Sequence, residues 1–430
     1  MAFLRSLFSG VSGLRNHQTM MDVIGNNIAN VNTTAFKGGR ATFSELYAQT
    51  LRGAGRPVGT NGGTDPLQVG LGMAVNSLDT LFSQGNIETT GNATDLAIQG
   101  NAFFVVKKEG QTLYTRAGRF DLDTTGKLVN PGTGAVLQGK MADATGTIPS
   151  GTTLEDIAIN KDIKSPAKAT TSIKFAGNLD SSAAVYNAGP PPTGGISNSS
   201  VTVFDSLGNK VQLTLAFTKT GPNAWNWNAS IPDPPPATTS TNVGTGTVTF
   251  NNDGTLQTMT GSPIAITPTS GAGPMSVAID FGTPSATAPG VFSGVTQTSN
   301  ASIVTAREQD GYTSGSLTNI SIDAGGRIIG TFTNDTVQTL GQVMLAEFNN
   351  PGGLIRSGEN TYNVSGNSGT PGIVNAGETS KIMAGALEQS NVDLADEFTK
   401  MITAQRGFQA NARVITTSDE FLQEVVNLKR

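Results

Sequence analysis

The residues able to do chemistry are few, and none meets a partner at working spacing. Asp121, Asp123 and Gly126 resemble the opening of a calcium loop. The twelfth position would be Gly132, not the bidentate Glu that such a loop requires, so a β-turn is the expected reading. His17 is the single histidine, and no acid lies three or four residues away. It therefore lacks the orienting carboxylate of a general base. The glycine clusters at 53–63 and 70–72 lack the GxxxxGK[ST] pattern that cradles phosphate. Asp393, Asp396 and Glu397 open a long helical pattern, where carboxylates favour the positive dipole end. Trp225 and Trp227 alternate on an expected strand and could stack on a sugar, although packing beneath a loop is the commoner reason. Asn-x-Thr triplets at Asn32 and Asn92 are too common to carry a glycosylation claim. With no convergent acid, base and nucleophile, no enzyme is expected, and neither cofactor nor metal.

Composition narrows the classes further. The chain has 430 residues, no cysteine, a net charge of -5 and 14% charged residues, against ~25% in ordinary soluble domains. Glycine accounts for 53 residues, well above the usual ~7%. Absence of cysteine removes a disulfide framework and a thiolate zinc site. No excess of Lys and Arg exists to neutralise phosphates, so no nucleic-acid partner is expected. The longest unbroken apolar run is residues 102–106, far short of the ~20 needed for a membrane span. Residues 1–15 lack the continuous apolar core of a signal peptide, so any export is expected without a cleaved peptide of that kind.

The elements that would position anything lie at the two ends. Leu4, Leu7, Val11, Leu14, Met21 and Ile28 occupy a and d positions of a heptad, with Gln18 and Gly25 as breaks. Asn26, Asn27, Asn30 and Asn32 crowd the end of that helix, since Asn favours termination. A second register runs through Leu394, Phe398, Met401, Gln405, Phe408, Ala412, Ile415, Asp419, Leu422 and Val426. A helix over 385–428 would be ~65 Å long, and patterns of that length suggest coiled coil or assembly. Gly407 inside it either permits close helix approach or marks a bend. Pairing the two helices antiparallel is the simplest way to bury both stripes, and such a ribbon would still need neighbours.

Between the ends the pattern is β. Alternation over 95–106, strands over 113–122 and 127–137, and hairpins at 201–217, 247–259 and 320–333 are marked by turn chemistry. Proline runs at 189–195 and 232–236 read as surface loops. The expected class is multidomain α+β. Residues 1–31 plus 385–430 form a helical coiled-coil core domain, and 32–89 plus 366–384 a linking region. Residues 90–148 plus 299–365 form an inner β domain around an inserted outer β domain, 149–298, so that two mainly β domains are nested.

Both ends also resemble a known family. Residues 12–14 with 22–37, including Asn26, Asn27 and Asn30, resemble the N-terminal signature of bacterial flagellar rod and hook proteins. Residues 391–394 with 405–419, including Gln405, Arg406, Gly407 and Asn411, resemble its C-terminal signature. Residues 85–120 resemble the shared first β domain. Ala35 stands where the family often has Gly. Length and the large insertion resemble the hook branch more than the distal rod branch. The resemblance implies a structural subunit that self-assembles into a curved flexible tube, a universal joint passing motor torque from rod to filament. It implies type III export, an extracellular position at the hook and basal body, and coiled-coil helices lining the tube. Implied partners are other copies of itself, a hook cap protein, the distal rod protein, a hook–filament junction protein and the export apparatus. The alternatives are a distal rod component, or an extracellular glycan-binding fibre or adhesin acting through Trp225 and Trp227.

Overall fold

A computed structural model describes residues 2–57, 62–143, 145–151, 153–189, 193–233, 239–284 and 293–427, without the side chains of residues 2–4. The expectations placed on the Leu4 side chain and on the prolines at 190–192 and 234–236 lie outside the described residues. The chain divides into two compact units. The first comprises Met1–Lys161, Ile320–Gly330 and Gln338–Arg430, and the second Asp162–Asn319 and Thr331–Val337. The structure is mostly β, and its terminal helices pack together.

In the first unit, helix α1 covers Ala2–Ala29 and helix α2 covers Leu394–Asn427. Asparagine chemistry marks the end of α1: the Asn30 side-chain amide donates to the Asn26 carbonyl at 2.9 Å, sharing that oxygen with the Asn30 backbone N–H at 3.2 Å. Asp393 caps α2, accepting the Ala395 amide at 2.8 Å. The carboxylates at this end thus do helix work, as the sequence suggests. After α1 come strands β1 (Gly39–Glu45), β2 (Ala48–Arg52), β3 (Leu67–Gly70) and β4 (Met73–Thr80). β1 pairs antiparallel with β4, and β2 with β3. A larger sheet holds Phe103–Lys108, Gln111–Thr115, Val136–Met141 and Val337–Glu347. Phe103, Val105, Tyr114, Phe348 and Tyr362 form one core beneath it.

The second unit carries a five-stranded antiparallel meander from Ile196–Phe204 to Leu256–Met259, and a second sheet centred on Ser172–Asp180. One buried cluster draws from both sheets, including Phe175, Val203, Phe217, Ile279 and Phe281. Trp225 and Trp227 belong to it, 0% and 1% exposed. Their shared strand face points into this core, so the sugar-stacking alternative is corrected. The indole of Trp227 donates to the Thr260 carbonyl and lies 5.9 Å from the Phe281 ring.

The suspected calcium loop is a hairpin turn. The Asp123 carboxylate accepts the Thr125 and Lys127 amides, both at 2.8 Å, and Gly126 turns with φ 81°. The same Asp-x-x-Gly-x device recurs at Asp143, Asp205 and Asp323. In each copy the carboxylate takes the amide four residues on, while glycine supplies the left-handed backbone.

Candidate assembly site

The helix pair runs antiparallel through small and polar residues. Ser6 Oγ lies 3.4 Å from Ser418 Oγ, and the Asn27 amide donates to Glu397 at 3.0 Å. Between these ends, Gly10 faces Ile415, Gly13 faces Asn411, and His17 covers Gly407. Each step of three or four residues forward along α1 is matched by a step of three or four back along α2. A side chain at Gly13 would come within 2.6 Å of the Asn411 amide, and one at Gly407 within 2.5 Å of the His17 ring. Gly407 therefore permits close approach inside an uninterrupted helix.

The contact stripe falls one residue before the apolar heptad on α1. Gly10, Gly13, Asn16, Ile24 and Asn27 are buried. Leu7, Leu14, Met21 and Ile28 are half-buried on its flank, and Val11 is exposed. On α2, Met401, Phe408, Ile415 and Leu422 are half-buried and alternate with Glu397, Ala404, Asn411 and Ser418. Leu394, Phe398 and Val426 are exposed, at 40%, 51% and 69%. Of the signature residues, Asn27, Gly407 and Asn411 meet at the contact. Asn26 and Asn30 bond each other at the end of α1, and Gln405 and Arg406 are exposed.

Asn27 does three jobs. Its amide and carbonyl exchange hydrogen bonds with Gly39 at 2.8 Å, mimicking a strand partner for β1, while the amide also reaches Glu397. Asn391 does the equivalent at the base of α2, accepting the Gly38 amide and donating to the Leu81 carbonyl. Both helices are thereby fixed to the same strand ends.

Below them lies a buried charge cluster that the sequence reading did not single out. Lys37 Nζ sits 2.6 Å from Glu388, and Arg116 Nη1 3.5 Å from its other oxygen, all three almost wholly buried. Lys37 also donates to the Ser83 carbonyl, Arg116 to the Gly100 carbonyl, and the Gly85 amide to Glu388. The Arg116 guanidinium lies 5.1 Å from the Phe103 ring. Burial pushes both cations below their ordinary pKa, with Glu388 pulling the other way. Such a cluster is held by its completeness, because removing one member strands the others. The cluster ties residues hundreds of positions apart and brings the end of α1, the β body and the lead into α2 to one point. The available signal was an isolated ion in a glycine- and alanine-rich setting, which pairs with nothing nearby in sequence.

The chain is similar in sequence to known proteins. Residues 7–37 match the family described as Flagella basal body rod protein, and residues 383–428 the Flagellar basal body rod FlgEFG protein C-terminal family. Residues 97–175 match the Flagellar hook protein FlgE/F/G D1 domain, and residues 178–312 the Flagellar basal body protein FlaE D2 domain. The Flagellar hook protein FlgE of Borreliella burgdorferi is 41% identical, covering 99% of this chain and 100% of its own length. The Flagellar basal-body rod protein FlgG of Bacillus subtilis is 30% identical over 99% of this chain and 100% of its own. A Helicobacter pylori flagellar hook protein FlgE2 crystal structure superposes with TM-score 0.52 at 15% identity, over 70% of this chain and 100% of that one. That likeness concerns the fold.

Proposed function

The chain belongs to the flagellar hook protein family, a structural subunit of the hook that self-polymerises, and from that premise we propose that its helix pair is the element on which the polymer is built. The observation that carries this reading is the outer face of the pair. Phe8, Phe398, Ile402, Val414, Phe421 and Val425 are each more than 40% exposed on helices whose inner contact is already satisfied. Apolar side chains at that density ask for cover, and further copies supply it.

The tube so formed is curved and flexible. The second unit forms its nested outer domain, with Thr, Ser, Asn and Gly on its surface. Bending requires contacts that exchange hydrogen bonds and bridging water at modest cost, which a polar surface allows and a dry apolar one resists. The hook cap protein meets its growing end, the distal rod protein its base and the junction protein its far end. The subunit reaches that extracellular position through the flagellar export apparatus without a cleaved signal peptide. A rod role is the second reading, favoured by the full-length similarity to the Bacillus rod protein.

Negative-stain microscopy of the full chain beside a chain lacking residues 1–30 and 386–430 tests this. Curved hollow tubes from the full chain alone are the expected result. Straight tubes would assign it to the rod, and tubes from both would remove the helices from the assembly core.

A further inference from the structure

The large sheet of the first unit carries two cations that no acid of the chain pairs with. Lys140, on the strand Val136–Met141, stands directly opposite Gln342 on the strand Val337–Glu347. On the other side of Val337–Glu347 runs Arg327–Phe332, and its first residue, Arg327, lines the same hollow as Lys140. The hollow has a volume of about 380 Å³ and is walled by the loop at 146–150. Lys140 is 9% exposed, yet its ammonium has neither hydrogen bond nor ion pair among the described residues. Every Asp and Glu of the chain is described, and the uncharacterised neighbours in sequence, Ala144 and Thr152, carry no charge. The acids near by are spent or stand apart. Asp323 accepts the Arg327 backbone N–H at 2.8 Å, Glu378 accepts the Asn375 amide at 3.1 Å, and Glu155 lines an adjoining hollow beyond ion-pair distance of Lys140. A charge held nine-tenths out of water is costly unless an opposite charge meets it.

We propose that this hollow is a binding site for a small molecule that carries one oxyanion, a carboxylate or a phosphate, on a hydroxylated skeleton. Lys140 meets the oxyanion as a point charge, and Arg327 meets it as a planar fork. The uncharged lining has the capacity to hold the rest of the molecule. Gln342 spends its amide on the Gly325 carbonyl and Asn375 spends its amide on Glu378, which leaves both side-chain carbonyls to accept from ligand hydroxyls. The Ser150 and Thr339 hydroxyls also line the hollow, and neither bonds through its side chain among the described residues. Both can donate as well as accept. The volume sits at the lower end of ligand pockets, ~300–1,000 Å³. A bare phosphate would use the two cations and leave these neutral partners idle. The site draws on no residue of the helix pair, so it does not depend on how the chain assembles.

Titration calorimetry on the full chain at low salt tests it, with gluconate, glucose 6-phosphate, inorganic phosphate and neutral glucose as probes. Saturable one-to-one binding of gluconate or glucose 6-phosphate is expected, about tenfold or more tighter than glucose or inorganic phosphate. The tighter of the two identifies the oxyanion as carboxylate or phosphate. Arg327→Gln and Lys140→Gln should each weaken that binding by about tenfold or more. Arg327 is exposed and holds its turn through the backbone, so its variant keeps the fold, and far-UV circular dichroism checks both. Binding of neither sugar anion overturns the proposal. So does glucose or inorganic phosphate bound as tightly as the better of the two, or undiminished binding in Arg327→Gln.

Discussion

Glu388 holds two buried cations at once. Glu388→Ala would leave Lys37 and Arg116 without a counter-ion, and removal of one partner from a buried pair costs about 3–5 kcal/mol. Urea unfolding followed by circular dichroism should show that loss, and an unchanged midpoint would mean that water reaches the cluster. Ala35 offers the opposite case. Its φ is 57°, a left-handed conformation that strains any side chain bearing a Cβ. Ala35→Gly should stabilise by roughly 1 kcal/mol after glycine's own entropy is discounted, and a lower melting temperature would contradict this. The hairpin aspartates set the response to acid. Hydrogen bonds from Thr125 and Thr145 hold the Asp123 and Asp143 carboxyls below their usual pKa. A depressed folded pKa contributes stability above the unfolded value, ~3.9, and that stability is lost as pH falls through the folded value. Unfolding scans at pH 5 and pH 3 should show weakening at the lower pH, less so in the variant Asp123→Asn with Asp143→Asn.

At the scale of elements, Phe408→Asp should abolish polymerisation, because it sets a charge among the side chains flanking the helix contact. Normal tubes from that variant would exclude the helix pair from the assembly core. Gly407→Ala is subtler. Alanine favours an isolated helix by about 1 kcal/mol, yet here its Cβ would meet the His17 ring, so assembly should weaken. The hairpins were legible in the sequence because local turn chemistry marks them, Asp253-Gly254 in one and Asp-x-x-Gly from Asp205 and Asp323 in the others. The hairpin expected at 201–217 is formed by Ile196–Phe204 and Lys210–Gly221. Both helices were legible from their apolar period, but the second begins at Leu394 and not at 385, because Ala386–Glu388 pairs as a strand with Ile87–Thr89. Their contact stripe was harder to read, because Gly10, Gly13, Asn411 and Ser418 achieve it through close approach and hydrogen bonds, and no hydrophobicity ranking marks such residues. The heptad instead recorded side chains that flank the contact or face outward, such as Phe398. The Lys37–Glu388–Arg116 cluster was illegible for another reason: its members meet only once the two ends of the chain have folded to one point.

At the scale of the molecule, each unit has its own core, and the second draws its core from two sheets of its own. A fragment of residues 162–337, which spans the whole unit, should therefore melt cooperatively, and a broad non-cooperative transition would show that it depends on the rest of the chain. Removing that unit from the full chain should alter tube shape or stiffness while leaving the helix pair intact.

The chain holds two tryptophans, and both lie in the core of the second unit. Indole emission is thus a private signal of that unit, while the helical ellipticity of α1 and α2 belongs to the first. One cuvette can follow both without any attached dye, and can time the ordering of each unit separately as tubes grow.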